Sequence, residues 1–87
     1  MTIPLFDDAP PQTERVSSYD ERHFVTYLRL LEADAQGAHW REIVRVVFGI
    51  DPGREPRRAW DVYESHLARA RWMTRIGYRH LLEGRIE

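Results

Sequence analysis

The sequence contains no cysteine, which excludes disulfide staples, thiolate metal sites and a cysteine nucleophile and leaves an interior of apolar packing. It contains no lysine: all thirteen basic residues are arginine, a usage that a GC-rich coding bias explains, although arginine also makes the stronger planar ion pairs at interfaces. No apolar run approaches the length that spans a bilayer, and Met1 to Pro11 lacks the basic segment and apolar stretch of a signal peptide, so a cytoplasmic protein without membrane contact is expected. Strand-like alternation, internal repeats and low-complexity tracts are also absent. There is no phosphate-binding glycine loop, nucleophile elbow or triad pattern. His23, His39, His66 and His80 never stand at helical ligand spacing to one another and read as surface or boundary residues. Neither an enzyme, a metal site, a cofactor nor a small-molecule substrate is therefore expected.

What is present is one small domain of 87 residues, a length that buries only about 60–65% of the surface of the unfolded chain. The formal net charge is −1, but it is unevenly spread: residues 1–34 carry −4, residues 35–53 are neutral and residues 54–87 carry +3. A free-standing DNA binder usually has a clear positive excess, because neutralised phosphates and released counterions supply most of its affinity.

The stretch from Ala38 to Leu67 carries the clearest pattern. Trp40, Ile43, Val44, Val47 and Phe48 fall on one stripe of a 3.6-residue period, bracketed by Gly37 and Gly49. Gly49 is placed for the left-handed conformation beyond a last helical turn. Ile50 to Glu55, with Asp51-Pro52-Gly53 at its centre, reads as a turn, and Pro56 opens a second helix where proline costs no hydrogen bond. Two short helices joined in this way outline a helix-turn-helix, with a turn longer than the usual three or four residues.

Upstream, the three prolines and the acids of the first sixteen residues read as a flexible N-terminal tail over residues 1–17. Ser18 and Glu21 predict a capping box for a helix whose face is Phe24, Leu28, Leu31 and Ala35, widened by Val25, Tyr27 and Leu30. Downstream of Pro56, Trp60, Tyr63, Leu67, Ala70, Tyr78 and Leu81 share a face on one continuous helix, yet Trp72 and Ile76 then point away from it. Either the helix breaks between about Ala68 and Arg71, or Trp72 and Ile76 form a patch for a partner. The expected fold is thus all-α: a small four-helix, helix-turn-helix-like domain over residues 18–87 with an extended turn and helices at about 18–36, 38–48, 56–69 and 70–83. Its expected core is Phe24, Leu28, Leu31, Ile43, Val44, Val47, Phe48, Tyr63 and Leu67.

Trp40-Arg41-Glu42-Ile43, Phe48-Gly49, Arg69-Ala70-Arg71, Gly77-Tyr78-Arg79 and Leu81-Leu82 together resemble an extended-turn helix-turn-helix domain family found in regulators of integrative and conjugative elements. The resemblance runs from Arg22 to Leu82 and is greatest for small stand-alone antiactivators that act in quorum sensing. It implies a regulator of horizontal gene transfer that either binds DNA or blocks an activator carrying the same domain. The outward side chains of the would-be reading helix include Arg57, Arg58, Asp61 and Glu64, and the two carboxylates read as a degenerate DNA face. The expectation is therefore an antiactivator that binds a transcriptional activator protein of the same mobile element and no DNA, with Tyr27, Leu30, Trp72 and Leu82 as contact residues. The alternative is a sequence-specific DNA-binding transcriptional regulator of such an element. A subunit of a structural or toxin–antitoxin-type pair is a third reading, resting on small size and an acidic tail.

Overall fold

The computed structural model describes residues 5–77. Four α-helices follow one another, α1 (Ser18–Arg22), α2 (Phe24–Ala35), α3 (Trp40–Phe48) and α4 (Pro56–Trp72), and α4 runs on into a π-helical turn, Met73–Gly77. No strand occurs among the described residues. The fold is the all-α, helix-turn-helix-like arrangement that the hydrophobic period indicates, with α4 packed against both α2 and α3.

The helix over 18–36 is in fact two. Its capping box lies one residue earlier than expected: Ser17 Oγ accepts from the Asp20 backbone N–H, and Asp20 Oδ2 accepts from the Ser17 N–H at 2.8 Å. At His23 the backbone leaves helical geometry (φ −104°, ψ 16°), although Tyr27 N–H still donates to the His23 carbonyl. Stacking of the His23 ring on Tyr19, centroids 4.3 Å apart, accompanies that deviation. Beyond it α2 buries Thr26, Tyr27 and Leu30, while Phe24, Val25 and Leu28 stay about half exposed. The expected core face of this helix is thus corrected. Apolar residues nearly encircle α2, so periodicity does not choose a face; the Tyr27 hydroxyl, which must reach Asp20 to be satisfied on burial, does.

Gly37 ends the second helix with φ 79°, the Gly37 N–H on the Asp34 carbonyl and the Ala38 N–H on the Ala33 carbonyl. That pair of bonds is a Schellman closure. Gly49 ends α3 with φ 69°, as the sequence indicates. In the turn that follows, Asp51 Oδ1 accepts the Gly53 N–H at 2.8 Å and the Asp51 carbonyl accepts from Arg54 and Glu55. Ile50 and Pro52 are buried, so the long turn is tied to the core from within.

The break expected near Ala68 to Arg71 does not occur. Arg69 and Ala70 are both buried and need consecutive regular turns, so α4 stays α-helical through Trp72 and the pitch changes only at Met73–Gly77. The remainder of the expected 70–83 helix lies outside the described residues. Leu30, Ile43, Val44, Val47, Phe48, Ile50, Ala59, Val62, Tyr63 and Leu67 form the core cluster.

Residues 5–17, expected as a flexible tail, lie along α4 as a strap. Phe6 meets Phe48 edge-on with centroids 4.9 Å apart, and Thr13 and Arg15 offer their carbonyls to Arg69.

Candidate functional site

The α3–turn–α4 unit presents five arginines, Arg41, Arg45, Arg54, Arg57 and Arg58, against three acids between Trp40 and Arg58. Arg41, Arg45, Arg54 and Arg57 are exposed, Arg57 with 91% of its side chain in solvent. Their ion pairs are loose: Arg45 stands 4.0 Å from Asp51 and Arg57 3.6 Å from Asp61. Exposed pairs of this kind contribute about 0–1 kcal/mol each, so these guanidiniums exchange a carboxylate for another anion at little cost. The first turn of α4 has no side-chain cap, which leaves backbone N–H groups and the positive end of the helix dipole beside Arg57 and Arg58.

On α4, Arg57, Asp61 and Glu64 are exposed and Arg58 is half-buried. Trp60, 40% exposed, sits on the same helix with its ring edge-on to Trp40 at 5.1 Å. Arg58 is less open than its neighbour. Its Nε donates to Asp8 Oδ1 at 3.0 Å, and Glu55 stands 3.5 Å away.

Behind this surface lies a polar layer that sequence reasoning missed. Arg69 donates from Nε and Nη2 to the two oxygens of Asp20, at 3.0 and 2.7 Å, and the pair is almost wholly buried. Asp20 also accepts from the Tyr27 hydroxyl at 2.8 Å and from Ser17, while Arg69 donates to the carbonyls of Thr13 and Arg15. Burial pushes the Asp20 carboxyl upward, but the Arg69, Ser17 and Tyr27 hydrogen bonds outweigh it and bring it down to about 2. Burial and the Asp20 charge push the Tyr27 hydroxyl upward. One guanidinium therefore ties α4, α1 and the strap together.

His23 and His66 are fully buried, not the surface or boundary residues expected. Because the Val62 carbonyl can only accept, His66 Nδ1 carries the proton and donates to it at 2.8 Å, so Nε2 accepts from the Tyr19 hydroxyl at 2.7 Å. Tyr19 in turn accepts the Asp7 backbone N–H. His23 donates from Nε2 to the Leu5 carbonyl, and its buried Nδ1 has no hydrogen-bond partner among the described residues. A proton added at His23 Nδ1 has no acceptor in place and one added at His66 Nε2 forces the Tyr19 hydroxyl to turn from donor to acceptor, and burial lowers both pKa values from the usual 6.5. The folded state thus binds fewer protons than the unfolded one in this range. Stability should be full above about pH 6.5 and fall as the pH drops below it. Thermal midpoints that stay level between pH 7 and 5 would refute this assignment.

Of the four expected partner contacts, Tyr27 and Leu30 are interior, with exposures of 2% and 0%. Both are core residues. Trp72 is half-buried under the Arg69 guanidinium, 3.8 Å from its ring centroid, and Leu82 lies outside the described residues. No helix among the described residues is long and apolar enough to cross a membrane.

A family model for the RovC DNA-binding domain, described as "T6SS, Transcription factor, DNA binding domain", matches residues 5–83. No curated protein matches the chain. The family match overturns the expectation that DNA is not a partner, and with it the premise of a domain mimic that has lost its DNA face. Asp61 stands 3.6 Å from Arg57 in an exposed pair, and a carboxylate on a major-groove helix can accept from the N4 amino group of cytosine, so the two acids do not by themselves exclude DNA.

Proposed function

The chain belongs to the RovC DNA-binding domain family of T6SS transcription factors, and from that membership we propose that its α3–turn–α4 unit binds duplex DNA as the sequence-reading part of a transcription regulator. The observation that carries the placement is the run of exposed, loosely paired arginines on α3, the turn and the start of α4. In this reading α4 enters the major groove, Arg57 and Asp61 face base edges, and Arg41, Arg45 and Arg54 hold phosphates on either side. The net charge of −1 does not oppose it, since the field that guides binding is local and the acids are concentrated in residues 1–34.

The resemblance to regulators of integrative and conjugative elements supports a promoter of such an element as the first probe, beside mixed-sequence duplex. Fluorescence anisotropy across a salt series tests the reading. Arg54→Ala should weaken binding to both probes alike and make the log–log salt slope shallower by about 0.9, the value for one lost phosphate contact. Arg57→Ala should instead cost roughly 1–3 kcal/mol on the preferred site and reduce the preference itself. No binding of either probe at low salt would dispose of the proposal.

A further inference from the structure

The strap formed by residues 5–17 follows the flank of α4 from its first turn to Arg69. Near its start, Phe6 packs against Phe48 with the Arg58 guanidinium 5.9 Å from its ring centroid. Asp8 then makes two contacts, its carboxylate taking the Arg58 Nε–H and its carbonyl accepting from Ser65 Oγ at 3.3 Å. Ala9 and Gln12 face Asp61, Glu64 and Ala68 across a shallow groove. At the far end Thr13 and Arg15 are fastened to the buried Arg69.

Two magnitudes set the consequence. An α-helix with its side chains is about 10–12 Å across, and the major groove is about 12 Å wide. Helix α4 therefore fills the groove alone. A peptide lying on its flank cannot enter beside it, and this one carries Asp7 and Asp8, which repel phosphates where they meet them. Both ends of the strap are fastened and its middle is not. Arg69 is 4% exposed and holds the far end by several hydrogen bonds, while Phe6 on Phe48, the Leu5 carbonyl on His23 and the Asp7 N–H on Tyr19 hold the near end; between them Asp8 and Arg58, 63% and 40% exposed, form an ion pair of the weak, solvent-screened kind.

Resting on the DNA-binding reading above, we propose that the acidic stretch of the strap is an autoinhibitory element: Asp8 occupies Arg58 in the place of a DNA phosphate, and its carboxylate must release Arg58 before a phosphate seats there. The contacts of residues 5–7 and of Arg69 hold the strap on either side, so only the residues around Asp8 have to shift. The occupant that displaces Asp8 is the phosphate backbone itself, and binding is thereby set against a built-in competitor.

The test uses the full chain and a fluorescein-labelled mixed-sequence duplex, with helical circular dichroism confirming that each variant is folded. Asp8→Asn should tighten binding about three- to fivefold, the worth of an exposed ion pair. Arg58 meets the same phosphate in both complexes once Asp8 is displaced, so the log–log salt slope should stay within about 0.3 of the parent's while the affinity rises. Glu14→Gln changes the net charge equally but removes a strap acid outside the Arg58 contact, and it should shift affinity less than about twofold by general screening alone. In an Arg58→Ala background the gain from Asp8→Asn should disappear, the signature of a coupled pair. If Asp8→Asn binds with the affinity of the parent, or if Glu14→Gln gives the same gain, the strap is no competitor although DNA binding stands. If parent and variants all fail to bind, the DNA-binding reading falls and this proposal with it.

Discussion

Arg69→Ala is expected to cost about 3–5 kcal/mol, because it strands the Asp20 carboxylate in the interior without its counter-charge. A domain of this size has only about 5–10 kcal/mol to lose, so the variant should be largely unfolded by modest urea. The loss is not only electrostatic: the guanidinium also caps the carbonyls of Thr13 and Arg15 and covers the face of Trp72. A pH series separates these contributions. In the parent, Asp20 titrates near 2, below its usual value of 3.8, so its stabilisation is complete above about pH 4 and lost as the pH falls toward 2. In Arg69→Ala only the Ser17 and Tyr27 hydrogen bonds still counter the burial, so the Asp20 pKa should rise and the gap between parent and variant should narrow in acid. Replacing both partners, as in Asp20→Asn with Arg69→Met, should recover part of the stability, since two neutral groups leave no charge behind. A destabilisation below about 1 kcal/mol, measured by urea midpoints at pH 7, would show that the pair does not close this structure.

The residues that were legible in the sequence are those whose causes are local. The stripe of Ile43, Val44, Val47 and Phe48, the left-handed Gly49 and the proline start of α4 each follow from neighbours within a few positions, and the structure bears them out. Nothing within a few residues of Asp20 distinguishes it from an ordinary helix-start acid. Its partner Arg69 is 49 residues away, as Tyr19 is 47 from His66. The same distance effect hid the strap, whose contact between Asp8 and Arg58 spans 50 residues. The arginines of the α3–turn–α4 unit were visible. The expectation of no DNA partner weighed the whole-chain charge and two carboxylates of α4, whereas the exposed arginines of α3, the turn and the start of α4 gather on one unit. On α2 the failure was of another kind: with six large apolar residues around the barrel of one helix, the period carries no face information, and the choice falls to a single hydroxyl seeking a carboxylate.

That choice makes Leu30 the sharpest discriminator between a contact surface and a core. As a surface anchor for a protein partner, Leu30→Ala would leave the fold as stable as the parent and remove only binding. The structure places its side chain at 0% exposure in the cluster with Ile43, Val44, Val62 and Leu67. Truncation there removes three heavy atoms from close packing and leaves a cavity, so a loss of about 2–5 kcal/mol is expected, toward the upper end if α2 cannot collapse onto α4. Collapse is hindered, because the Tyr27 hydroxyl and the Asp20–Arg69 pair fix the distance between the two helices from the side. Leu28→Ala, on the half-exposed face of the same helix, should cost much less, about 1 kcal/mol or below, since little of its surface leaves water on folding. Thermal or urea unfolding of the two variants side by side decides the matter. A large loss at Leu28 beside a small one at Leu30 would mean that α2 is turned to the face that its sequence suggested, and that the buried polar layer is not what orients it.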